Sequence, residues 1–275
     1  MSDRYAVIGN PVAHSQSPRI HAAFARQTGE DIEYTRLLAP LDQFEATLKD
    51  FFAQGGIGAN VTVPFKLEAF DLAEEATPRA KDAQAANFLK ISQGVIRADN
   101  TDGAGLVRDI VHNLKFDLAG KRVLLLGAGG AAQGVLLPLI DCQPALLTIA
   151  NRTIEKAMNL AESFRHKPAA VSTVLSALRF QELTGHRYDL VINATSSSLH
   201  GEALALPEGL FAQGGLAYEM MYGKGETAFL AFARAHGAHA ADGLGMLVEQ
   251  AAESFFLWRG VRPDSVPVIA MLRAL

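Results

Sequence analysis

The stretch K-R-V-L-L-L-G-A-G-G-A-A-Q-G-V-L at residues 121–136 decides how the middle of the chain folds. Four apolar residues, 123–126, stop at a glycine-rich turn, after which small and apolar residues recur at helical spacing. This order predicts a buried strand, a tight turn and a helix. In such a turn the first glycine permits the bend, the second leaves room for a pyrophosphate, and a small residue lets the helix pack on the strand.

The glycine turn predicts an anion site at the start of this helix. Backbone amides and the positive end of the helix dipole converge there. The residues predicted to contact a dinucleotide are Gly127, Ala128, Gly129, Gly130 and Ala131. The pattern G-x-G-x-x-A is a weak signal alone, because an α/β protein can turn a strand into a helix in this way without binding a ligand.

The end of the next predicted strand indicates which dinucleotide is bound. Residues 147–150 are a second buried run, and they lead into Asn151-Arg152-Thr153. An NAD-binding chain is expected to have Asp or Glu near this position to hold the ribose 2′-hydroxyl. Here an amide and a permanent cation stand instead, and Lys156 adds a cation one helical turn further on. The sequence therefore favours NADP over NAD.

Length and composition limit the class of protein. At 275 residues the chain is long enough for one large or two medium domains, and we expect two. Hydrophobic residues make up 49% and charged residues 20%, which is ordinary for a globular enzyme and argues against disorder. The net charge of −4 gives no reason to expect a nucleic-acid partner.

The sequence also indicates the cellular compartment. No apolar run approaches the length of a membrane span, and residues 1–4 lack the apolar stretch of a signal peptide. The single cysteine, Cys142, can form neither an internal disulfide nor a cysteine-based zinc site. His236 and His239 have no partner at metal-ligand spacing, so no metal is expected. These features predict a cytoplasmic protein with a small-molecule substrate and no membrane partner.

Two serines precede the first predicted helix. Residues 5–9 are a predicted strand, and S-Q-S-P at 15–18 opens a helical pattern with Ser17 as the expected N-cap. Capping does not explain Ser15. Two hydroxyls at a positive helix end are also what a carboxylate ligand needs.

The segment 57–63 is predicted to be a strand that Pro64 closes. Asn60 and Thr62 would then share one face, which is costly on a central strand unless solvent or a polar ligand occupies it. We interpret this face as ligand-binding. Lys66 follows at the carboxyl end of the strand, where α/β sheets place their ligands.

A hairpin leads to a pair of aspartates. Residues 88–92 and 95–98 predict two strands around a Gln-Gly turn, and D-N-T-D-G at 99–103 precedes a helical pattern. Capping of that helix accounts for one of Asp99 and Asp102, not for both.

Strands and helices alternate from position 121 to about 240, as in a parallel sheet covered by helices. The predicted strands of this region include 170–174, 188–193 and 216–220, and a long helix is predicted from Gly243. The fold class is therefore predicted to be α/β.

Together these motifs resemble the shikimate dehydrogenase family, in order and over nearly the whole chain. They are G-N-P-V-A-H-S-Q-S-P (9–18), A-N-V-T-V-P-F-K (59–66), D-N-T-D-G (99–103), G-A-G-G-A (127–131), N-R-T (151–153), N-A-T-S-S (193–197) and D-G-L-G-M-L-V-E-Q-A-A (242–252). Several collinear motifs are far more specific than any single one.

The resemblance implies an N-terminal α/β substrate domain, a Rossmann-type doubly wound dinucleotide domain, and a site in the cleft between them. The expected bounds are 1–103 for the substrate domain, joined by C-terminal helices at 243–275, and 104–242 for the NADP-binding domain. Family members reversibly reduce 3-dehydroshikimate to shikimate with NADPH, as a step of aromatic amino-acid biosynthesis. A monomer or a homodimer is expected.

By resemblance, Lys66 and Asp102 form the catalytic pair. Hydride transfer to a ketone develops an alkoxide, which an ammonium can stabilise and protonate while a carboxylate aligns the reacting groups. The resemblance assigns substrate binding to Ser15, Ser17, Asn60, Thr62, Asn87, Thr101, Tyr222 and Gln250. Besides the residues predicted above, the cofactor would contact Thr195, Ser196, Met220, Gly243 and Met246.

The chain departs from the usual family pattern at four positions. Phe88 stands where threonine is usual, Gln16 where lysine is common, Glu219 where aspartate is usual and Gln133 where arginine is usual. None of these departures removes a proposed catalytic group. They bear on the affinity for substrate and, to a lesser degree, for cofactor.

Two alternatives stay open at the level of sequence. The first is a paralogue that acts on quinate or another shikimate-like polyol acid; Ser17, in place of threonine, and the cation Arg152 argue against quinate. The second is a non-catalytic NADP-binding regulatory protein. The intact Lys66 and Asp102 argue against that interpretation, whereas Phe88 leaves it open.

Overall fold

The computed structural model describes residues 2–200, 202–223 and 225–275. They form two compact units, of which one ends at Gly105 and resumes at Leu247, while the other comprises Leu106–Met246. The sequence placed these divisions slightly earlier, after residues 103 and 242. Within the described ranges no helix is long and apolar enough to cross a membrane.

The first unit is built on a mixed six-stranded sheet in the order β2-β1-β3-β5-β6-β4. Its strands are β1 (Asp3–Gly9), β2 (Ile32–Leu38), β3 (Gly56–Val61), β4 (Glu75–Ala76), β5 (Phe88–Ser92) and β6 (Val95–Asp99). The helices that precede the second unit are α1 (Ser17–Thr28), α2 (Phe44–Ala53), α3 (Lys66–Asp71), α4 (Pro78–Ala83) and α5 (Asp102–Arg108), whose last residues already belong to the second unit.

Strand alternation gives this sheet two apolar faces. Ile8 of β1 and Val61 of β3 point to one face and join the buried cluster against α2 and α3. On the other face Tyr5 and Phe88 pack on Trp258, with ring centroids 4.6 and 5.1 Å from the indole. The Phe88 ring is 5% exposed, so it lies inside this aromatic cluster.

The second unit contains a six-stranded sheet in which every pairing is parallel, in the order β12-β11-β10-β7-β8-β9. The strands are β7 (Arg122–Leu126), β8 (Leu146–Ala150), β9 (Val174–Leu178), β10 (Tyr188–Asn193), β11 (Phe211–Glu219) and β12 (His239–Ala241). The helices are α6 (Gly130–Asp141), α7 (Ile154–Arg165), α8 (Ala228–Ala235) and α9 (Leu244–Arg259), followed in the first unit by α10 (Val266–Arg273). The first strand lies centrally between β8 and β10, which is the Rossmann order, so the predicted α/β fold class is confirmed.

Two predicted strands are misplaced. Residues 170–174 were expected to be a strand, but Pro168–Ser172 is a 3-10 turn and β9 starts at Val174. Proline fixes φ and favours such a turn over an extended run. The strand predicted at 57–63 ends at Val61, so Thr62 lies in the loop that follows β3.

Candidate active site

The predicted substrate residues gather at one edge of the first sheet. Ile8 pairs with Val61, Asn60 with Phe88, and Phe88 with Asp99. Loops that follow β1, β3 and β6, and the residue that precedes β5, therefore meet at this edge. These segments and the first residues of the helices that follow them carry Ser15, Ser17, Thr62, Lys66, Asn87, Thr101 and Asp102.

Lys66 and Asp102 form an ion pair at this edge. Lys66 begins α3 and Asp102 begins α5, and the lysine Nζ donates to the aspartate Oδ2 over 2.6 Å. The other carboxylate oxygen accepts from Nδ2 of Asn87 at 2.8 Å, and the Asp102 amide donates to Oδ1 of Asn100 at 3.1 Å. The two side chains keep 31% and 21% of their surface exposed. The pair is therefore both fixed and accessible.

Asn87 connects the pair to its neighbours. Its Oδ1 accepts from the Thr101 amide at 2.8 Å, and its Nδ2 lies 3.0 Å from the Thr101 hydroxyl and 3.3 Å from Oε1 of Gln250. Thr101 is wholly buried, whereas the half-buried Gln250 is held by a 2.7 Å bond from its Nε2 to the Leu247 carbonyl. Asn87 is thus fixed by Thr101 and Gln250, and in turn it orients one carboxylate oxygen of Asp102.

Ser15 and Ser17 stand together at the start of α1, with the Ser15 hydroxyl donating to that of Ser17 over 3.1 Å. The prediction that Ser17 is the N-cap is wrong, because α1 starts at Ser17 and Gln16 precedes it without a side-chain cap. The Ser17 amide donates instead to the Ser15 hydroxyl at 3.3 Å. Arg36 fixes the loop by donating twice to the Ser15 carbonyl, at 2.6 and 3.0 Å. Two hydroxyls are thereby presented at a helix N-terminus.

Asn60 has protein partners that the sequence did not reveal. Its Oδ1 accepts from the Tyr34 hydroxyl at 2.7 Å, and its Nδ2 donates to the Asn87 carbonyl at 3.1 Å and to the Ser254 hydroxyl at 2.9 Å. Only 6% of Asn60 is exposed. Tyr34 lies in an ordinary strand, and Ser254 is 194 positions away, so no local pattern could have indicated either contact. The next predicted substrate residue, Thr62, is half-buried.

Asp99, the other aspartate of D-N-T-D-G, has a structural partner. Its carboxylate receives two bonds from Arg79, at 2.6 and 3.1 Å, and one from the Thr77 hydroxyl at 2.6 Å. Arg79 also pairs with Glu253 of α9 at 3.1 Å. The buried Asp99 therefore anchors the start of the loop that ends at Asp102.

The predicted cofactor residues share one edge of the second sheet. Leu126 pairs with Ala150 and with Asn193, and Asn193 pairs with Glu219. The segments that follow β7, β8, β10 and β11 therefore leave the sheet at the same level. They contain residues 127–131, 151–153, Lys156, Thr195, Ser196 and Met220.

The glycine turn has the form expected for a pyrophosphate. Gly127 has φ of +106°, and a Cβ there would lie 3.1 Å from the Ala194 carbonyl oxygen, so any other residue would be strained at this position. Gly129 has φ of −97°, which any residue can adopt, and a Cβ there would meet nothing within 4 Å. The free space in front of Gly129 is not required by protein packing, and it suits a phosphate group. Ala132 is fully buried where α6 packs on the sheet, as predicted.

Arg152 and Lys156 are exposed beside this turn. Asn151, between β8 and α7, donates from Nδ2 to the Thr153 carbonyl at 2.9 Å and thereby shapes the loop. The described residues 151–153 include no carboxylate that could hold a ribose 2′-hydroxyl. This loop fits an NADP 2′-phosphate better than it fits the ribose of NAD.

Asn193 organises the loops that follow β10 and β11. Its Oδ1 accepts from the Thr195 hydroxyl at 2.7 Å, and its carbonyl accepts from the Met220 amide at 3.1 Å. The Gly243 amide donates to the Met221 carbonyl at 3.0 Å. Ser196 is exposed, and Tyr222 has 39% of its surface exposed in the segment after β11.

Met246, at the start of α9, is held by two residues outside the predicted set. The Tyr218 hydroxyl accepts from the Met246 amide at 3.3 Å and donates to Oδ2 of Asp109 at 2.6 Å. Burial raises the pKa of Tyr218 well above its ordinary value, with Asp109 adding to the effect. Tyr218 therefore stays neutral and holds the backbone of Met246, a predicted cofactor contact, in place.

Glu219, where the family usually has aspartate, is fully buried and hydrogen-bonded. Its carboxylate accepts from Asn193 at 2.8 Å, Ser198 at 2.5 Å, Thr227 at 3.2 Å and the Met221 amide at 3.2 Å. Such a buried carboxylate needs donors of this number to offset its desolvation. The longer side chain is therefore accommodated by the loops on both sides of it.

No group of three or more histidine, cysteine, aspartate or glutamate residues in the described part of the chain could hold a metal ion.

A Rossmann unit with a glycine-rich turn before a helix, together with another α/β unit that carries a fixed lysine–aspartate pair, is typical of two-domain nicotinamide-nucleotide dehydrogenases. Three family models match the chain: the shikimate dehydrogenase substrate binding domain at residues 7–89, shikimate/quinate 5-dehydrogenase at 109–201, and the shikimate 5′-dehydrogenase C-terminal domain at 243–275. The chain belongs to the shikimate dehydrogenase family.

Similar proteins cover almost the full length. The shikimate dehydrogenase (NADP(+)) of Methylobacillus flagellatus is 60% identical over 273 residues, which is 99% of each chain. An Ael1 enzyme from Pseudomonas putida is 50% identical, with a TM-score of 0.93 over 98% of both chains. The shikimate 5-dehydrogenase of Thermus thermophilus, solved with NADP(H) and shikimate, is 32% identical, with a TM-score of 0.86 over 99% of this chain and 100% of that one.

Proposed function

We propose that this protein is an NADP-dependent oxidoreductase that reversibly reduces 3-dehydroshikimate to shikimate in aromatic amino-acid biosynthesis. The observation that carries the proposal is the Lys66–Asp102 pair, fixed at 2.6 Å and still accessible, in a chain of this family. An ammonium held by a carboxylate is what the carbonyl oxygen of a ketone substrate needs as it takes up charge.

Lys66 would act at the reacting oxygen. Its ammonium has three donors, of which one is used by Asp102, so donors remain for the substrate. During reduction Lys66 stabilises the developing alkoxide and donates a proton to it, and during oxidation it takes that proton back. Asp102 keeps Nζ in line, and Asn87 keeps Asp102 in place. The hydride would be supplied to the substrate, or accepted from it, by the nicotinamide when the cofactor is bound.

The remaining edge of the first sheet would bind the substrate. Ser15 and Ser17 present their hydroxyls to the carboxylate, where the α1 dipole adds to the attraction. Thr101, being wholly buried, would contribute by holding Asn87. The ring hydroxyls are assigned to Asn60, Thr62, Asn87 and Gln250 of the first unit and to Tyr222 of the second.

The edge of the second sheet would bind NADP. The amides of 127–131 receive the pyrophosphate, and the cations Arg152 and Lys156 the 2′-phosphate, with Asn151 and Thr153 shaping that loop. The groups assigned to the rest of the cofactor are Thr195, Ser196, Met220, Gly243 and Met246. We further infer, from the sequence, a cytoplasmic monomer or homodimer without nucleic-acid partners.

The test is a spectrophotometric assay of NADPH formation by purified protein. Shikimate and quinate are each offered with NADP and with NAD, and Lys66→Ala serves as the inactive control. We expect rapid NADPH formation with shikimate and NADP. A higher kcat/KM for quinate with NAD would replace the substrate assignment, and NADP binding without turnover of any pair would identify a regulatory protein.

A further inference from the structure

We propose that Tyr34 is a positioning residue of the substrate site, whose hydroxyl fixes the orientation of the Asn60 amide. No motif used above includes Tyr34, and it lies in the middle of β2. The inference rests on the proposed function, because it gives Tyr34 a role through Asn60, a residue assigned to substrate binding.

The Asn60 amide is almost fully occupied by protein groups. A side-chain amide offers two donor hydrogens and two acceptor lone pairs. Both donor hydrogens are used, by the Asn87 carbonyl at 3.1 Å and the Ser254 hydroxyl at 2.9 Å. The Tyr34 hydroxyl takes one lone pair of Oδ1 at 2.7 Å. One lone pair of Oδ1 remains. Asn60 can therefore bind a substrate hydroxyl only by accepting a hydrogen bond that the hydroxyl donates.

The Tyr34 hydroxyl keeps its proton, as a donor to Asn60 must. Burial raises the pKa of Tyr34 well above its ordinary value, and the Ser17 side chain opposes that rise to a smaller degree. The phenol therefore stays neutral near pH 7 and donates to Oδ1 of Asn60.

The position of the Tyr34 ring is set by His21. The two rings stack with centroids 4.1 Å apart and planes 6° from parallel. His21 lies on α1, one helical turn after Ser17. Burial lowers the pKa of His21 to about 3, against a smaller effect of the Asn60 side chain, so the imidazole is neutral near pH 7. The flat, uncharged imidazole thus packs against the face of the Tyr34 ring and holds it in place.

The direct test is Tyr34→Phe, which removes the hydroxyl and keeps the stacked ring. We expect KM for shikimate to rise about tenfold, because the Asn60 amide is no longer oriented by a hydrogen bond from Tyr34. The value of kcat should stay within about threefold of the parent value, and KM for NADP should be unchanged. The matched control is Tyr5→Phe, in the same aromatic cluster, whose hydroxyl contacts Arg259 and no proposed substrate residue. Urea unfolding of both variants monitors the fold.

A double-mutant cycle shows whether Tyr34 acts through Asn60. If it does, adding Tyr34→Phe to Asn60→Ala raises KM for shikimate less than about twofold further. A full second tenfold rise would overturn the inference, and so would an unchanged KM in the single variant. Either result leaves the proposed function intact, since that depends on turnover of shikimate by the parent enzyme.

A second measurement varies the substrate instead of Tyr34. Each non-reacting ring hydroxyl of shikimate is replaced in turn by fluorine, which cannot donate a hydrogen bond. We expect one replacement to raise KM about tenfold in the parent enzyme and to have little further effect in Asn60→Ala. If neither analogue raises KM more in the parent enzyme than in Asn60→Ala, then Asn60 does not accept a hydrogen bond from a substrate hydroxyl. The assignment of Tyr34 as a positioning residue would then be wrong as well.

Discussion

The lysine–aspartate pair and the glycine turn are built in opposite ways. Lys66, Asp102 and Asn87 are bonded to one another at 2.6 and 2.8 Å before any ligand is considered. At the turn, the space in front of Gly129 is open for at least 4 Å, and the neighbouring Arg152 is exposed. The first region is internally complete, whereas the second presents groups for a ligand to pair.

The difference follows from what each region must do. A proton-transfer pair works only if its atoms are held close to the reacting geometry, which requires side chains locked by other side chains. An anion site needs only amides and cations that converge on free space, because the ligand's own charge completes it. Substitutions at the lysine–aspartate pair should therefore lower kcat, whereas substitutions at the glycine turn and its neighbours should raise KM for NADP.

The largest effect is expected at the pair itself. Lys66→Ala and Asp102→Asn should each lower kcat by a factor on the order of 10²–10⁴, because acid–base assistance at the carbonyl oxygen is lost. Steady-state kinetics with saturating shikimate and NADP measure this loss. The exposed Lys81→Ala is the control and should keep the parent kcat. Near-parent kcat in either test variant would remove that residue from the mechanism.

Phe88→Thr tests whether the Phe88 ring, which lies next to Asn87 in the sequence, serves packing or substrate binding. The ring is 5% exposed and stacked on Trp258, so its loss should lower the free energy of unfolding by about 3 kcal/mol. KM for shikimate should change less than about twofold, because the ring packs in the aromatic cluster. Urea unfolding and kinetics give the two numbers, with the more exposed Phe256→Thr for comparison. A large change in KM at unchanged stability would put the ring in the site.

Arg152→Ala probes the open region. KM for NADP should rise about 10- to 100-fold and KM for NAD less than about twofold, because only NADP carries the 2′-phosphate. Arg165→Ala, at the other end of α7, is the matched control with the same charge change. Equal rises for the two cofactors would mean that Arg152 does not contact that phosphate.

His21 makes the free energy of unfolding sensitive to acid. Its folded pKa of about 3 lies below the ordinary 6.5, so between these values the unfolded chain binds a proton that the folded chain does not. Stability from this residue is therefore present above about pH 6.5 and is lost as the pH falls. Relative to His21→Phe, the parent protein should lose about 2 kcal/mol of unfolding free energy between pH 7 and pH 5. Urea titrations at both pH values test this, and a constant difference would contradict it.

The smallest effect separates the two glycines of the turn. Gly127→Ala should lower the free energy of unfolding by about 1–2 kcal/mol, because alanine is strained at φ of +106°. Gly129→Ala should change it by less than about 0.5 kcal/mol while raising KM for NADP, since its Cβ enters only the open space. Thermal unfolding and cofactor kinetics decide between them. Equal stability losses would show that the space at Gly129 is filled by protein.

Local sequence patterns predicted many of the strands and helices of this protein. An apolar run that stops at Gly127 predicted β7 and the helix after it, and a second run that stops at Asn151 predicted β8, because both the strand period and the turn chemistry are written in neighbouring residues. The same logic predicted the hairpin of β5 and β6. It failed at 170–174 and at Ser17, where a proline turn and a neighbouring serine compete with the simpler interpretation.

The sequence by itself determined the α/β class, the glycine turn, the family resemblance and the set of polar residues at strand ends. Only the tertiary structure decided which of those residues are bonded to each other. The contacts of Asn60 with Tyr34 and Ser254, and of Asp99 with Arg79, join residues 20 to 194 positions apart. Such contacts depend on sheet order and register, which no local pattern encodes, and they fix the orientation of side chains whose identity the sequence had already supplied.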